Sequence, residues 1–249
     1  MDRIALVTGA GGAIGRAIAT TLASRGASVI TLDLHQASCH NVAEEIRGGG
    51  GTVYEAIADV RSSQELQKVR TGLGEIADRV NVVVNCAGIL RTTPFLDISQ
   101  EEWRLMLDTH LKGTFLVCKT FVPGMIKNGG GIIINTSSTL GIIGSAGRAH
   151  YSAAKRAIHA LTKNIATELA PYGIRAISLA PGPIDTEMLR EGLSAADYQK
   201  RLEATASRVP LGRVGKPEDV ANLAAWLALG GGRFINGQLL SVDGGTVMR

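Results

Sequence analysis

Short β-branched runs alternate with helical stretches along the whole chain, and few folds accept that alternation. Candidate strands occupy 3–8, 28–33, 52–58, 80–84, 131–136, 174–179 and 238–242. Helical patterns lie between them at 14–25, 36–47, 62–77, 100–127, 150–170 and 217–228. A strand that rejoins its sheet through a helix runs parallel to its neighbour with a right-handed crossover, so an α/β, doubly wound parallel sheet is expected. The strands lack a clean apolar–polar alternation, as expected where helices cover both faces. A length of 249 residues suits one domain over 1–249. The polar segment 185–215 breaks the rhythm and sits where a lid over a site could be inserted.

Composition narrows the classes. Hydrophobic residues make up 45% and charged residues 19%, enough apolar material for a core. Aromatics at 4% argue against a base-stacking platform or an aromatic sugar groove. The net charge of +4 is scattered, which gives mild attraction for an anionic ligand but no nucleic-acid stripe. Cys39, Cys86 and Cys118 have neither paired nor metal-like spacing, so no disulfide scaffold and no metal site are expected, and a reducing compartment is. A strand starts almost at the N-terminus, which argues against a signal peptide. No window approaches the length of a membrane span, and a cytoplasmic protein is the expectation. Glycine runs at 48–51, 129–131 and 230–232 read as chain reversals and helix C-caps.

Two ends of the chain carry chemistry. Thr8-Gly9-Ala10-Gly11-Gly12-Ala13-Ile14-Gly15 follows the first strand and opens the first helix. Glycines there let backbone approach a pyrophosphate seated on the helix N-terminus. Asp33 ends the second strand, placed to bind adenosine ribose hydroxyls and to repel a 2′-phosphate; a solvated strand-end acid is the plain alternative. Asp59-Val60 ends the third strand and could flank an adenine, and Asn85-Cys86-Ala87-Gly88 ends the fourth, with Cys86 read as a buried small residue. Farther on, Tyr151 and Lys155 are spaced i, i+4 on one helical face, and Ser138 ends the fifth strand. A tyrosine needs its pKa lowered by ~2–3 units, roughly 3–4 kcal/mol, to work near neutrality. A nearby ammonium and a cationic ring would supply that.

Taken together these stretches resemble the short-chain dehydrogenase/reductase family, and the resemblance extends over essentially the whole chain. Pro181-Gly182-Pro183-Ile184-Asp185-Thr186 and Val242-Asp243-Gly244-Gly245 add to it. The resemblance implies a Rossmann-like sheet of seven parallel strands in the order 3-2-1-4-5-6-7, with helices on both faces. It implies that Ser138, Tyr151 and Lys155 are catalytic. It gives a nicotinamide dinucleotide to Gly9, Gly12, Ile14, Gly15, Asp33, Asp59, Val60, Asn85, Ala87, Gly88, Tyr151, Lys155, Pro181, Gly182, Ile184 and Thr186, with Ile184 and Thr186 at the carboxamide. It also implies a homotetramer built through the 100–127 and 150–170 helices and the last strand.

Three positions depart from the family pattern. Ala13 replaces the middle glycine of the turn, and Cys86 replaces a second asparagine. His110, in Thr109-His110-Leu111-Lys112-Gly113, stands where the family has a proton-relay asparagine. An imidazole could hold the same water, and beside Lys155 it is expected to be neutral. The alternative is that His110 only packs within the helix.

The main expectation is an NAD-dependent oxidoreductase that interconverts a secondary alcohol and a ketone, with Tyr151 as acid and base. A small hydroxy compound, sugar or polyol is the preferred substrate. A 3-oxoacyl-[acyl-carrier-protein] or acyl-thioester reductase is the alternative. Such reductases usually take NADPH, which Asp33 should disfavour, and tend to carry basic residues where this chain has Asn128-Gly129-Gly130-Gly131. A nucleotide sensor without turnover would normally have lost Tyr151 or Lys155. NADP is the lesser expectation for the cofactor, and neither nucleic acid nor a membrane is expected as a partner.

Overall fold

A computed structural model describes residues 3–190 and 193–248 of the protein. The first half runs β1 (Ile4–Thr8), α1 (Ala13–Ser24), β2 (Ser28–Asp33), α2 (Gln36–Gly48) and β3 (Val53–Ile57). Helices α3 (Ser63–Leu73) and α4 (Glu75–Asp78) lead to β4 (Val82–Asn85). Next come α5 (Gln100–Leu107), a π-helical turn at Asp108–Lys112, α6 (Gly113–Lys127) and β5 (Gly131–Thr136). The chain ends with α7 (Leu140–Ile143), α8 (Ala149–Leu169), β6 (Ile174–Pro181), α9 (Glu187–Arg190), α10 (Ala195–Ala206), α11 (Pro217–Ala228) and β7 (Leu239–Val242).

The strands form one sheet in the order β3-β2-β1-β4-β5-β6-β7, and every adjacent pair is parallel. This is the Rossmann-like arrangement. Successive strand residues point to opposite faces, and the core divides accordingly. Val82, Val84, Ile132 and Ile134 pack under α1 and α11, whereas Val83 and Ile133 pack with Val117, Phe121 and Met125 of α6. Both faces are dry, hence the continuous apolar strands. Strand order reverses between β1 and β4, and that switch point opens a crevice at the carboxyl ends of the strands.

Among the differences from expectation, four bear on the fold. The helix at 62–77 is broken by Gly74, whose φ of +52° cannot continue an α-helix. The stretch 100–127 is interrupted by the π turn, where Gly113 N–H donates to Asp108 O. The fourth strand begins at Val82 rather than 80, because Asn81 turns its side chain to accept from Ile4 N at 3.2 Å. Segment 185–215 contains α9 and α10, and its residues 191 and 192 lie outside the described ones. The glycine runs do end helices: Gly130 N donates to Met125 O at 2.9 Å with φ +108°.

Candidate active site

The turn between β1 and α1 packs backbone on backbone. A Cβ on Gly9 would stand 2.6 Å from Ala87 Cα, and one on Gly15 only 2.1 Å from Gly9 O. The Thr8 hydroxyl accepts from Cys86 N at 3.1 Å and Ala87 N at 3.2 Å, tying the end of β4 to the turn. Helix α1 has Gly12 at its N-cap, no side-chain cap and no acidic residue in its first turn. Its first N–H groups and its positive dipole end are therefore free for an anion. Ala13 opens this helix without disturbing the turn.

Asp33 reaches back to the turn. Its Oδ2 accepts from Gly11 N at 2.9 Å and its Oδ1 from His35 N at 3.0 Å. A cavity of about 870 Å³ starts here and runs along the strand ends past Asp59, Val60, Ala87 and Gly88 to Ile89, Arg91 and Arg190. Its glycine-floored, acid-ended groove fits a dinucleotide.

Several of the expected binding residues also have protein partners. The Asp59 carboxylate is engaged by Arg61, which donates through Nε and Nη2 at 2.6–3.0 Å. That pairing holds Asp59 below the usual carboxylate range. Asn85 spends its amide inside the core, donating to Asn135 Oδ1 at 2.8 Å, and the chain continues through Thr162 to Ser178. Only its backbone is left for the groove. Pro181 closes β6, where its carbonyl accepts from Thr139 N, while Gly182 N donates to Val242 O. Ile184 is bridged to Gly215, and Thr186 O accepts from Leu189 N at the start of α9.

Ser138, Tyr151 and Lys155 come together beyond β5. Ser138 Oγ accepts from Leu140 N at 3.1 Å, which leaves its proton for the Tyr151 phenol. Lys155 is buried, donates to Thr136 O at 2.7 Å, and stands 5.6 Å from the Tyr151 ring centroid. Burial lowers Lys155 to about 8. Tyr151 goes the other way from expectation: burial raises it, against the pull of the Ser138 hydroxyl and Arg148. Burial also raises Cys86, which is only partly covered, so it is no thiolate at neutrality.

His110 sits at the centre of the π turn, buried, its ring edge-on to Tyr151 with centroids 5.3 Å apart. Its Nε2 lies 2.7 Å from Ile89 O and 3.2 Å from Ile89 N, so it donates to the carbonyl in one tautomer and accepts from the amide in the other. Among the described residues Nδ1 is buried with no partner. Burial and the Lys155 charge hold His110 well below its ordinary pKa, hence neutral as expected. The backbone carbonyl of His110 is already taken, accepting from Thr114 Oγ1 at 2.7 Å.

Sequence reasoning missed two neighbours. Glu102 accepts from Thr93 Oγ1 at 2.6 Å and pairs with buried His150 at 3.0 Å, joining α5 to the start of α8. Arg148 flanks Tyr151 as well. Arg148 carried one signal, its nearness in number to Tyr151, and Glu102 carried none.

A sequence-family profile described as enoyl-(acyl carrier protein) reductase matches residues 9–247. The 3-oxoacyl-[acyl-carrier-protein] reductase of Thermotoga maritima is 36% identical over 246 residues, covering 99% of this chain and 98% of its own. That of Synechocystis is 38% identical over 249 residues, covering 99% and 97%. Among solved structures, a 7α-hydroxysteroid dehydrogenase complexed with NADH and 7-oxo glycochenodeoxycholic acid superposes with a TM-score of 0.90 at 31% identity, covering 99% and 95%. Among the described residues no helix is long and apolar enough to cross a membrane.

Proposed function

Because the chain belongs to the short-chain dehydrogenase/reductase family and is an oxidoreductase of CH–OH groups, we propose that it interconverts 3-oxoacyl and 3-hydroxyacyl compounds. The convergence of Ser138, Tyr151 and Lys155 beside the Gly9–Gly15 turn carries this reading. The 3-oxoacyl substrates in the relatives' names favour it over a sugar or polyol.

A nicotinamide dinucleotide, when bound, supplies or accepts the hydride. Gly9, Gly12, Ile14 and Gly15 would hold its pyrophosphate at the α1 N-terminus, and Asp33 its ribose. Asp59, Val60, Ala87 and Gly88 would line the base and ribose, with Pro181, Gly182, Ile184 and Thr186 near the carboxamide. Ser138 donates to the substrate oxygen while Tyr151 gives it a proton in reduction and takes one in oxidation. The Lys155 charge favours the phenolate against burial, and a cationic nicotinamide adds to it. His110 Nδ1, buried without a protein partner, would hold a water that returns protons to the site.

We read the cofactor as NAD, since the Asp33 carboxylate at the end of β2 would repel a 2′-phosphate. A second reading, oxidation of a small hydroxy compound with NAD, draws on that same acid and on the NADH in the steroid dehydrogenase. We also read the enzyme as a cytoplasmic homotetramer. Trp103 on α5 and Phe115 on α6 are 37% and 46% exposed, which suits a covered face. The purified protein, offered an acetoacetyl thioester and a panel of alcohols with NADH/NAD and NADPH/NADP, tests the reaction. No nicotinamide turnover with any pair would sink it.

A further inference from the structure

Arg148 is the N-cap residue of α8, three positions before Tyr151, and is half-buried. Its side chain has no hydrogen-bond or ion-pair partner among the described residues. A partly desolvated guanidinium with five unused donors is costly to keep, and proteins normally pair it with a carboxylate. Here no carboxylate among the described residues bears on it. Glu102, which reaches the same end of α8, is engaged by Thr93 and His150. Arg201 of α10 adds a second positive charge that repels Arg148, and the acid-capable group facing Arg148 is the Tyr151 phenol. The first turn of α8 adds to this field, since it has no acidic residue and no side-chain cap. Ser152 Oγ, one residue past Tyr151, is buried without a partner.

We propose that Arg148 receives a carboxylate carried by the substrate close to its reacting carbon, so that the site takes an oxo or hydroxy acid as the free anion. The planar fork of arginine matches a carboxylate in bidentate fashion, which a neutral thioester cannot offer. This rests on the reading that the reacting carbon meets Tyr151, and it narrows that reading from 3-oxoacyl compounds in general to 3-oxo acids.

Acetoacetate, ethyl acetoacetate and the N-acetylcysteamine thioester of acetoacetate share one carbonyl and differ in charge. With saturating NADH, acetoacetate should have the highest kcat/KM, by at least ~10-fold and mainly through KM. Arg148→Gln should lower kcat/KM for acetoacetate at least ~10-fold more than for the ester, and Arg148→Lys should recover part of the loss. Binding without turnover is read in a Tyr151→Phe background from the fluorescence of bound NADH as acetoacetate is added. Adding Arg148→Gln there should weaken acetoacetate binding by a similar factor.

Equal losses on acid and ester, or a thioester preferred to the acid, overturn the anion site and leave the carbonyl reaction standing. Acetoacetate binding that depends on Arg148 with no reduction of any of the three compounds keeps the site and removes the reaction. Acetoacetate that neither binds nor reacts overturns the site.

Discussion

Gly88 and His110 share one space: a Cβ on Gly88 would stand 2.4 Å from His110 Cε1 and 2.9 Å from its Nδ1. The glycine three residues past β4 thus admits the imidazole that the π turn delivers. Gly88→Ala should push the ring aside, at an overpacking cost of about 1–3 kcal/mol. If the ring holds a relay water, His110→Asn keeps most activity, whereas His110→Leu and Gly88→Ala both slow turnover. Wild-type rates for His110→Leu from about pH 6 to 10 would show that the ring only packs.

Tyr151→Phe removes the proton donor while keeping the ring that meets His110 edge-on and lies beside Lys155. We expect kcat to fall at least ~10²-fold with dinucleotide binding retained. Stopped-flow turnover and NADH fluorescence separate the two. Full activity in this variant rules out the acid/base role.

Lys155, with its pKa lowered to about 8, is charged below that pH and neutral above it. Dinucleotide affinity should therefore weaken as pH rises through about 8, and Lys155→Met should flatten the profile. The stability sign is opposite to that of a paired lysine. Burying the ammonium opposes folding below about pH 8, and this opposition fades between there and the unfolded value near 10.4. Chemical denaturation of the wild type should show stability gained over that interval, and Lys155→Met should not show it.

Asp33 has two separable roles. Against NADP(H), its charge should give NAD(H) at least ~10-fold in kcat/KM, about 1.4 kcal/mol. Its bonds to Gly11 N and His35 N hold the turn. Asp33→Asn should narrow the cofactor gap while keeping part of the turn, and Asp33→Ala should also cost about 1–3 kcal/mol of stability. Paired kinetics and melting curves check this, and a wild type that prefers NADPH contradicts the first role.

Light scattering at micromolar protein should give a tetramer mass. Trp103→Glu, at the exposed face of α5, should lower it. A wild-type monomer excludes the assembly.

The sheet was legible because strand composition depends on burial, and parallel strands covered on both faces announce themselves as runs such as Val82–Val84 and Ile132–Ile134. The nucleotide turn and the Tyr151–Lys155 pair were legible because their geometry is local. What could not be read depends on distant backbone. The Asn85 amide bonds Asn135 fifty residues away, and Arg61 claims Asp59 only in the folded loop. The rise in the Tyr151 pKa reflects how deeply α8 is covered, which spacing does not encode.

The π turn at Asp108–Lys112 makes residue count a structural variable. Each residue of an α-helix advances it by about 100°, and the wide turn absorbs one surplus residue without passing that rotation on. Met106 before the turn and Phe121 and Met125 after it can then all be buried at once. Losing any one residue between 108 and 112 would regularise the helix and rotate one flank by about 100° against the other. Either Met106 or the Phe121–Met125 stripe would then face away from its core, and His110 would leave Tyr151. Exchanges of side chain are tolerable at several of these five positions; a change in their number is not.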